Sequence, residues 1–75
     1  SNLNGVVVTA VKRDSFASRA GLNVGSVISQ ISQKNVTSAE EAKKIFDDSK
    51  KKGLESVLLQ VFQNDFSRFL ILKIK

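Results

Sequence analysis

A small α+β domain, in the order β, short α, β, long α, β, β, is the fold class this sequence predicts. Three observations predict it. Val6–Val11 is a largely β-branched run of strand length. Ser15 to Ile28 holds a helical turn, two glycine stops and the start of a strand. A helix-period segment then gives way to two alternating apolar runs separated by a turn.

In the first run Val6, Val8 and Ala10 share one face and Val7, Thr9 and Val11 the other. Apolar residues on both faces predict a strand inside the sheet or covered on both sides. Lys12-Arg13-Asp14 is a polar exit. Ser15 is the expected N-cap of a short helix over 16–20. Ala17 and Ala20, three apart, put a small-residue face against a sheet. Gly21 stops the helix where the chain must turn left-handed, which glycine does without a Cβ clash. Leu22 is expected to turn back into the core, and Gly25 makes a second tight turn. Val27, Ile28 and Ile31 mark the second strand, with Ser29 and Gln30 breaking its alternation, and Gln33-Lys34-Asn35 reads as the following turn.

The long helix starts at Thr37-Ser38-Ala39-Glu40-Glu41. With Ser38 as N-cap, Glu41 stands at N3 and completes a capping box; with Thr37 as cap, Glu40 takes that place. The helix should run to about Lys51, with Gly53 as its stop. Ala42, Ile45, Phe46 and Ser49 form its inward stripe, and Glu40–Lys44 and Glu41–Lys44 have the spacing of side-chain pairs. From Ser56 to Gln63, Val57, Leu59 and Val61 alternate with Leu58, Gln60 and Phe62. Asn64-Asp65-Phe66-Ser67 is the expected turn. In the last strand, Arg68–Lys75, Leu70, Leu72 and Ile74 face one way and Phe69, Ile71 and Lys73 the other. The two runs should form a hairpin.

Seventy-five residues make one small domain, which buries only roughly 60% of its unfolded surface. Residues 5–75 are expected to be that domain, and residues 1–4 a disordered tail, Ser1-Asn2 being left over from expression. The chain has no Cys, His, Met, Trp, Tyr or Pro, so the core rests on Val, Ile, Leu and five Phe. Without histidine or cysteine it lacks the usual general base, the usual zinc ligands and any Ser-His-Asp arrangement. Serines and lysines are plentiful, but none sits in a nucleophile elbow, so no catalytic residue, metal or cofactor is expected. No segment has the ~20 apolar residues of a membrane span. The net charge of +5 comes partly from Lys50, Lys51 and Lys52, which suit the negative end of a helix. No basic motif interleaves with aromatics, so nucleic acid is not an expected partner.

The run A-x-x-A-G-L-x-x-G-S-V-I over Ala17–Ile28, with Gly5-Val6-Val7-Val8-Thr9-Ala10-Val11 before it, resembles the core signature of a PDZ domain. It is most similar to the PDZ domains of bacterial HtrA/DegP-type serine proteases, and the resemblance extends from about Gly5 to Lys75. Gly5, Ala17, Ala20, Gly21, Leu22 and Gly25 carry it. Phe16 stands where that family has proline, Ser26 where it has aspartate, and Gln33-Lys34 where it has Asn-Gly.

The resemblance implies a PDZ-like, partly open β-barrel or sandwich of the permuted bacterial type, whose last strand takes the place of the first strand of animal PDZ domains. In that family the carboxylate-binding loop and the peptide-pairing strand precede the Gly5–Val11 strand. An N-terminally shortened second PDZ domain is therefore expected, with Leu3-Asn4-Gly5-Val6 only superficially like the loop. The strand left without its neighbour would be an open edge, so edge-strand homodimers are expected.

The implied function is a non-catalytic module of a periplasmic serine endopeptidase whose catalytic domain is separate. It would bind hydrophobic segments or C-termini of unfolded proteins by β-augmentation, or mediate oligomer assembly with the protease domain and other PDZ domains. The family pattern puts Ala39, Lys43 and Phe46, the first, fifth and eighth helical residues, on the groove wall. The plain structural alternative makes Ala39 and Phe46 core and Lys43 solvated. Tail-specific and site-two proteases carry similar PDZ signatures, and a basic nucleic-acid-binding module is the remaining alternative.

Overall fold

The computed structural model describes residues 5–75; the expectations for residues 1–4, including the loop-like Leu3-Asn4, lie outside it. The elements are β1 (Val6–Val7), α1 (Phe16–Ala20), β2 (Val27–Ile31), β3 (Lys34–Asn35), α2 (Ala39–Lys51), β4 (Ser56–Gln63) and β5 (Phe66–Lys73). They build a five-stranded antiparallel sheet in the order β1-β2-β4-β5, with β3 paired to β2. Two helices and one antiparallel sheet make an α+β fold compatible with a small PDZ-like domain.

Both helices obey their caps. Ser15 accepts from the Ser18 N–H at 3.2 Å. Gly21 ends α1 at φ 98°, its N–H returning to Ser18 O at 3.2 Å. Ser38 accepts from the Glu41 N–H at 3.2 Å. The Glu41 carboxylate reaches back to Thr37, accepting from its hydroxyl at 2.6 Å and its N–H at 3.1 Å. These bonds, the hydroxyl first and the N–H second, hold the Glu41 carboxyl below the ordinary glutamate value.

The core lies where α2 and the loops cover one face of the sheet. Ile28 and Ile31 of β2, Val57, Leu59 and Val61 of β4 and Leu72 of β5 point to that face and are buried, joined by Leu22, Val36 and Ala42. Ala17 and Ala20 of α1 and Ile45 and Phe46 of α2 pack against this cluster, and Ser49 is buried on the α2 stripe. Ser49 satisfies its hydroxyl by donating to Ile45 O at 2.8 Å.

Three expectations are corrected. The first concerns the Val6–Val11 strand. Only Val6–Val7 are strand; pairing continues through Val8, whose N–H donates to Ser26 O at 2.8 Å, and then stops. Its partner is the limit: β2 begins at Val27, and residues beyond Val8 have no strand beside them. Nor is this strand interior. It ends the sheet order, and Val7 is 56% exposed.

The second correction moves a turn and adds a strand. The bend is Ser32–Gln33, at φ 53° and 67°, not Gln33–Asn35. Ile31 pairs with Lys34 and Gln30 with Asn35, so the order is β, α, β, β, α, β, β. Two successive positive φ values suit the twist of a two-residue hairpin turn. The third correction shortens the β4–β5 turn to Asn64–Asp65, at φ 51° and 66°, with Gln63 facing Phe66.

The broken alternation in β2 is a register shift between Ile28 and Gln30 against β4. An extra residue there, Ser29, lets Ile28 and Ile31 both point inward. The opposite face of the sheet carries four successive rows, the last of them Ser56 with Lys73 at the open end of the β4–β5 hairpin. Val7, Val27, Phe62 and Ser67 form the first; Asn35, Gln30, Gln60 and Phe69 the second; Leu58 and Ile71 the third.

Candidate functional site: an apolar groove beside the long helix

α2 and the end of β5 converge with the start of α1 around a groove of about 340 Å³. Phe46 and Lys50, one helical turn apart, come from α2. Leu72 and Ile74 come from the inward phase of the last strand, and Ser15, Phe16 and Ala17 from the start of α1. The strand geometry persists past β5, because the Ile74 N–H donates to Glu55 O at 2.8 Å.

The walls are apolar and the charge is on the rim. Phe46, Ile74 and Ala17 are half-buried against the core, so the groove is an open end of that core. Lys50 and Lys73, both exposed, are among the residues that line it. The Lys73 Nζ stands 5.9 Å from the centre of the Phe16 ring, within range of a cation–π contact. An apolar slot with two cations beside it suits an apolar side chain next to a carboxylate, and it holds no general base or nucleophile pair.

Of the three groove candidates from sequence, Phe46 lines this groove. Ala39 and Lys43 lie outside it, both exposed on α2. The purely structural alternative fails for Ala39, which is not core, while Phe46 is half-buried and Lys43 solvated. Sequence reasoning missed Lys50, Leu72, Ile74 and Phe16. Lys50 was within reach, four residues after Phe46, and Leu72 and Ile74 are in the apolar phase of their strand. That α1 would join them is a tertiary fact.

A second, polar pocket of about 300 Å³ lies beside β3, among Ser29, Gln30, Asn35, Val36, Thr37 and Gln60. There the Gln30 side chain donates to Asn35 Oδ1 at 3.0 Å. Among the described residues no three His, Cys, Asp or Glu gather as a metal site.

The residues of the sequence signature build the frame. Gly5 has no room for a side chain: a Cβ there would lie 2.6 Å from Ile28 O. Gly21 and Gly25, at φ 98° and 93°, are required for their torsions. Ser26, where the resemblance has aspartate, is buried and accepts twice, from the Asn23 N–H at 3.2 Å and from Gln63 Nε2 at 2.6 Å. An acceptor is the role an aspartate would fill.

No family model matches the chain. It is similar to curated proteins named probable periplasmic serine endoprotease DegP-like. The one from Brucella suis is 41% identical over 70 residues, 93% of this chain. That from Chlamydia trachomatis is 37% identical over 73 residues, 97% of the chain, and that from Rhizobium meliloti 34% over 70. The chain spans 14% of the length of these relatives. The similarity is confined to one small region of those endoproteases.

Proposed function

We propose that residues 5–75 form a PDZ-like, non-catalytic module of an HtrA/DegP-like periplasmic serine endoprotease, of the permuted bacterial type. Its task in this reading is to hold hydrophobic peptide segments or C-termini of unfolded proteins. The observation that carries the proposal is the apolar groove between α2 and β5, in a chain similar along 93% of its length to DegP-like endoproteases. The proteolytic chemistry would belong to another part of the longer protein, since these residues offer no positioned base.

An apolar peptide side chain would enter beside Phe46, Leu72 and Ile74. A terminal carboxylate would find Lys50 or Lys73 at the rim, in ionic contacts weakened by salt. β1, an edge of the sheet, favours the second reading, a role in assembly by strand addition.

The test is an amide NMR titration with a peptide that ends in hydrophobic residues and a free carboxylate, beside its amidated twin. The expected result is a set of shifts at Phe46, Lys50 and Leu72–Ile74, larger for the free carboxylate and lost in Phe46→Asp. A well-dispersed spectrum that moves for neither peptide would overturn the peptide-binding reading.

A further inference from the structure

β5 ends the sheet order, so one of its sides pairs with β4 and the other meets no strand. The two-residue turn makes Gln63 and Phe66 a hydrogen-bonded pair, and bonded pairs alternate with non-bonded ones from there. The same phase holds at the far end, where the Ile74 N–H donates to Glu55 O at 2.8 Å. The even-numbered residues of β5 therefore bond to β4. Ser67, Phe69, Ile71 and Lys73 turn their N–H and C=O groups to the open side. Among the described residues no turn, loop or cap bonds to them.

Edges are commonly blunted by shortness, proline or a bulge. β5 has eight residues, no proline and an unbroken register with β4. Along its open side runs a second groove, of about 210 Å³, lined by Phe16, Arg19 and Ala20 of α1 and by Ile71 and Lys73 of β5. The Lys73 ammonium leans toward α1, 5.9 Å from the centre of the Phe16 ring. Both charged residues that line this groove are cations, and β5 adds a third in Arg68. Neither the groove lining nor β5 contains a carboxylate side chain.

We propose that this edge takes an extended peptide of alternating apolar and acidic residues, added to the sheet as a further strand outside β5. Its main chain pairs with the open groups of Phe69, Ile71 and Lys73. Its apolar side chains lie beside Phe69 and Ile71 on the outer face, where those residues are 66% and 62% exposed. Its acidic side chains fall on the alternate face, toward Arg19 and the Lys73 ammonium. A second copy of β5 is a poor occupant, because it would set Arg68 and Lys73 against like charges. The site goes beyond the groove beside α2, with which it shares only Phe16 and Lys73, and it needs no peptide terminus.

An amide NMR titration with acetyl-Val-Glu-Val-Glu-Val-amide, up to about 2 mM, tests this beside a twin with lysine for glutamate. Both peptides lack a free carboxyl end, so the α2 groove reading does not predict their binding. The expected result is that the amides of Phe69, Ile71 and Lys73 shift and exchange more slowly, while those of Leu70 and Leu72 keep the protection β4 already gives them. Added salt should weaken the glutamate peptide. Arg19→Glu with Lys73→Glu, both exposed, should weaken it by roughly tenfold and make the lysine twin the tighter of the two. A β5 edge that responds to neither peptide, or equally to both, would overturn the proposal. Shifts confined to Phe46 and Lys50 would overturn it while leaving the α2 groove standing. Slowed exchange that grows with protein concentration in the absence of peptide would overturn it in favour of a second copy.

Discussion

The Gln63 side-chain amide donates to the Ser26 hydroxyl at 2.6 Å, joining residues 37 apart in sequence, both buried. The same nitrogen donates to Gly21 O at 3.1 Å, so one side chain ties the β4–β5 hairpin to the end of α1 and to the turn before β2. The Gln63 Oε1 is buried without a partner. Removing the amide therefore has two opposed effects. Gln63→Leu strips the donor from Gly21 and Ser26 but also removes an orphan acceptor, so the expected loss is about 1–2 kcal/mol. Gln63→Glu sets oxygen against the Gly21 carbonyl and buries a charge, with a loss of about 3 kcal/mol or more at neutral pH. Urea unfolding of the two variants would test that ranking.

The Glu41 capping box should make stability depend on pH. Its carboxyl is held below the ordinary glutamate value by Thr37. The charged form is favoured in the folded state, so the stabilisation is full above the unfolded value of about 4.3 and fades as pH falls through the lower folded value. Thr37→Val should raise the Glu41 titration midpoint, read from its side-chain carbonyl carbon by NMR. It should also flatten the acid limb of the stability curve. Ser38→Ala, which removes the reciprocal bond to the Glu41 N–H, is expected to cost about 1 kcal/mol at neutral pH.

The Ser32–Gln33 turn is built from two residues that enter the left-handed region with difficulty. Asn and Gly are the pair that such a turn prefers. Ser32→Asn with Gln33→Gly should stabilise the chain by about 1 kcal/mol, the gain coming from relieved torsions. Asp65→Gly in the second hairpin should act in the same direction. Thermal unfolding would check both, and a lower midpoint would count against the turn assignment.

Gly5→Ala should be costly for a different reason. Its Cβ would meet Ile28 O at 2.6 Å and Val27 Cγ1 at 2.7 Å, across the β1–β2 contact. The strands must separate, at about 1–3 kcal/mol. Hydrogen exchange should quicken at Val8, whose amide bonds to Ser26, ahead of the amides of β4.

Local signals carried far in this chain. Ser15, Gly21, Ser38 and Gly53 mark helix ends by bonds and torsions confined to a few residues, and both helices run where those residues imply. The hairpin of β4 and β5 was legible because its apolar phase is uninterrupted. β1 was overread because a strand's length belongs to its partner as much as to its own sequence. β3 was missed because a two-residue strand has no period to detect. In the groove, Phe46 was visible from helical spacing, whereas Phe16 arrives through the packing of α1 on β5, which no local pattern encodes.

The turn at Asn64–Asp65 bears on chemical ageing. Asparagine side chains deamidate when the next backbone nitrogen attacks the amide carbon, and glycine in that next position leaves the attack least hindered. This hairpin, whose two positive φ values suit Asn-Gly, instead follows Asn64 with an aspartate. A tip of this kind gives up some conformational ease and keeps its covalent structure longer. The glycine variants that raise the unfolding temperature should accordingly show a shorter shelf life wherever they place glycine after asparagine.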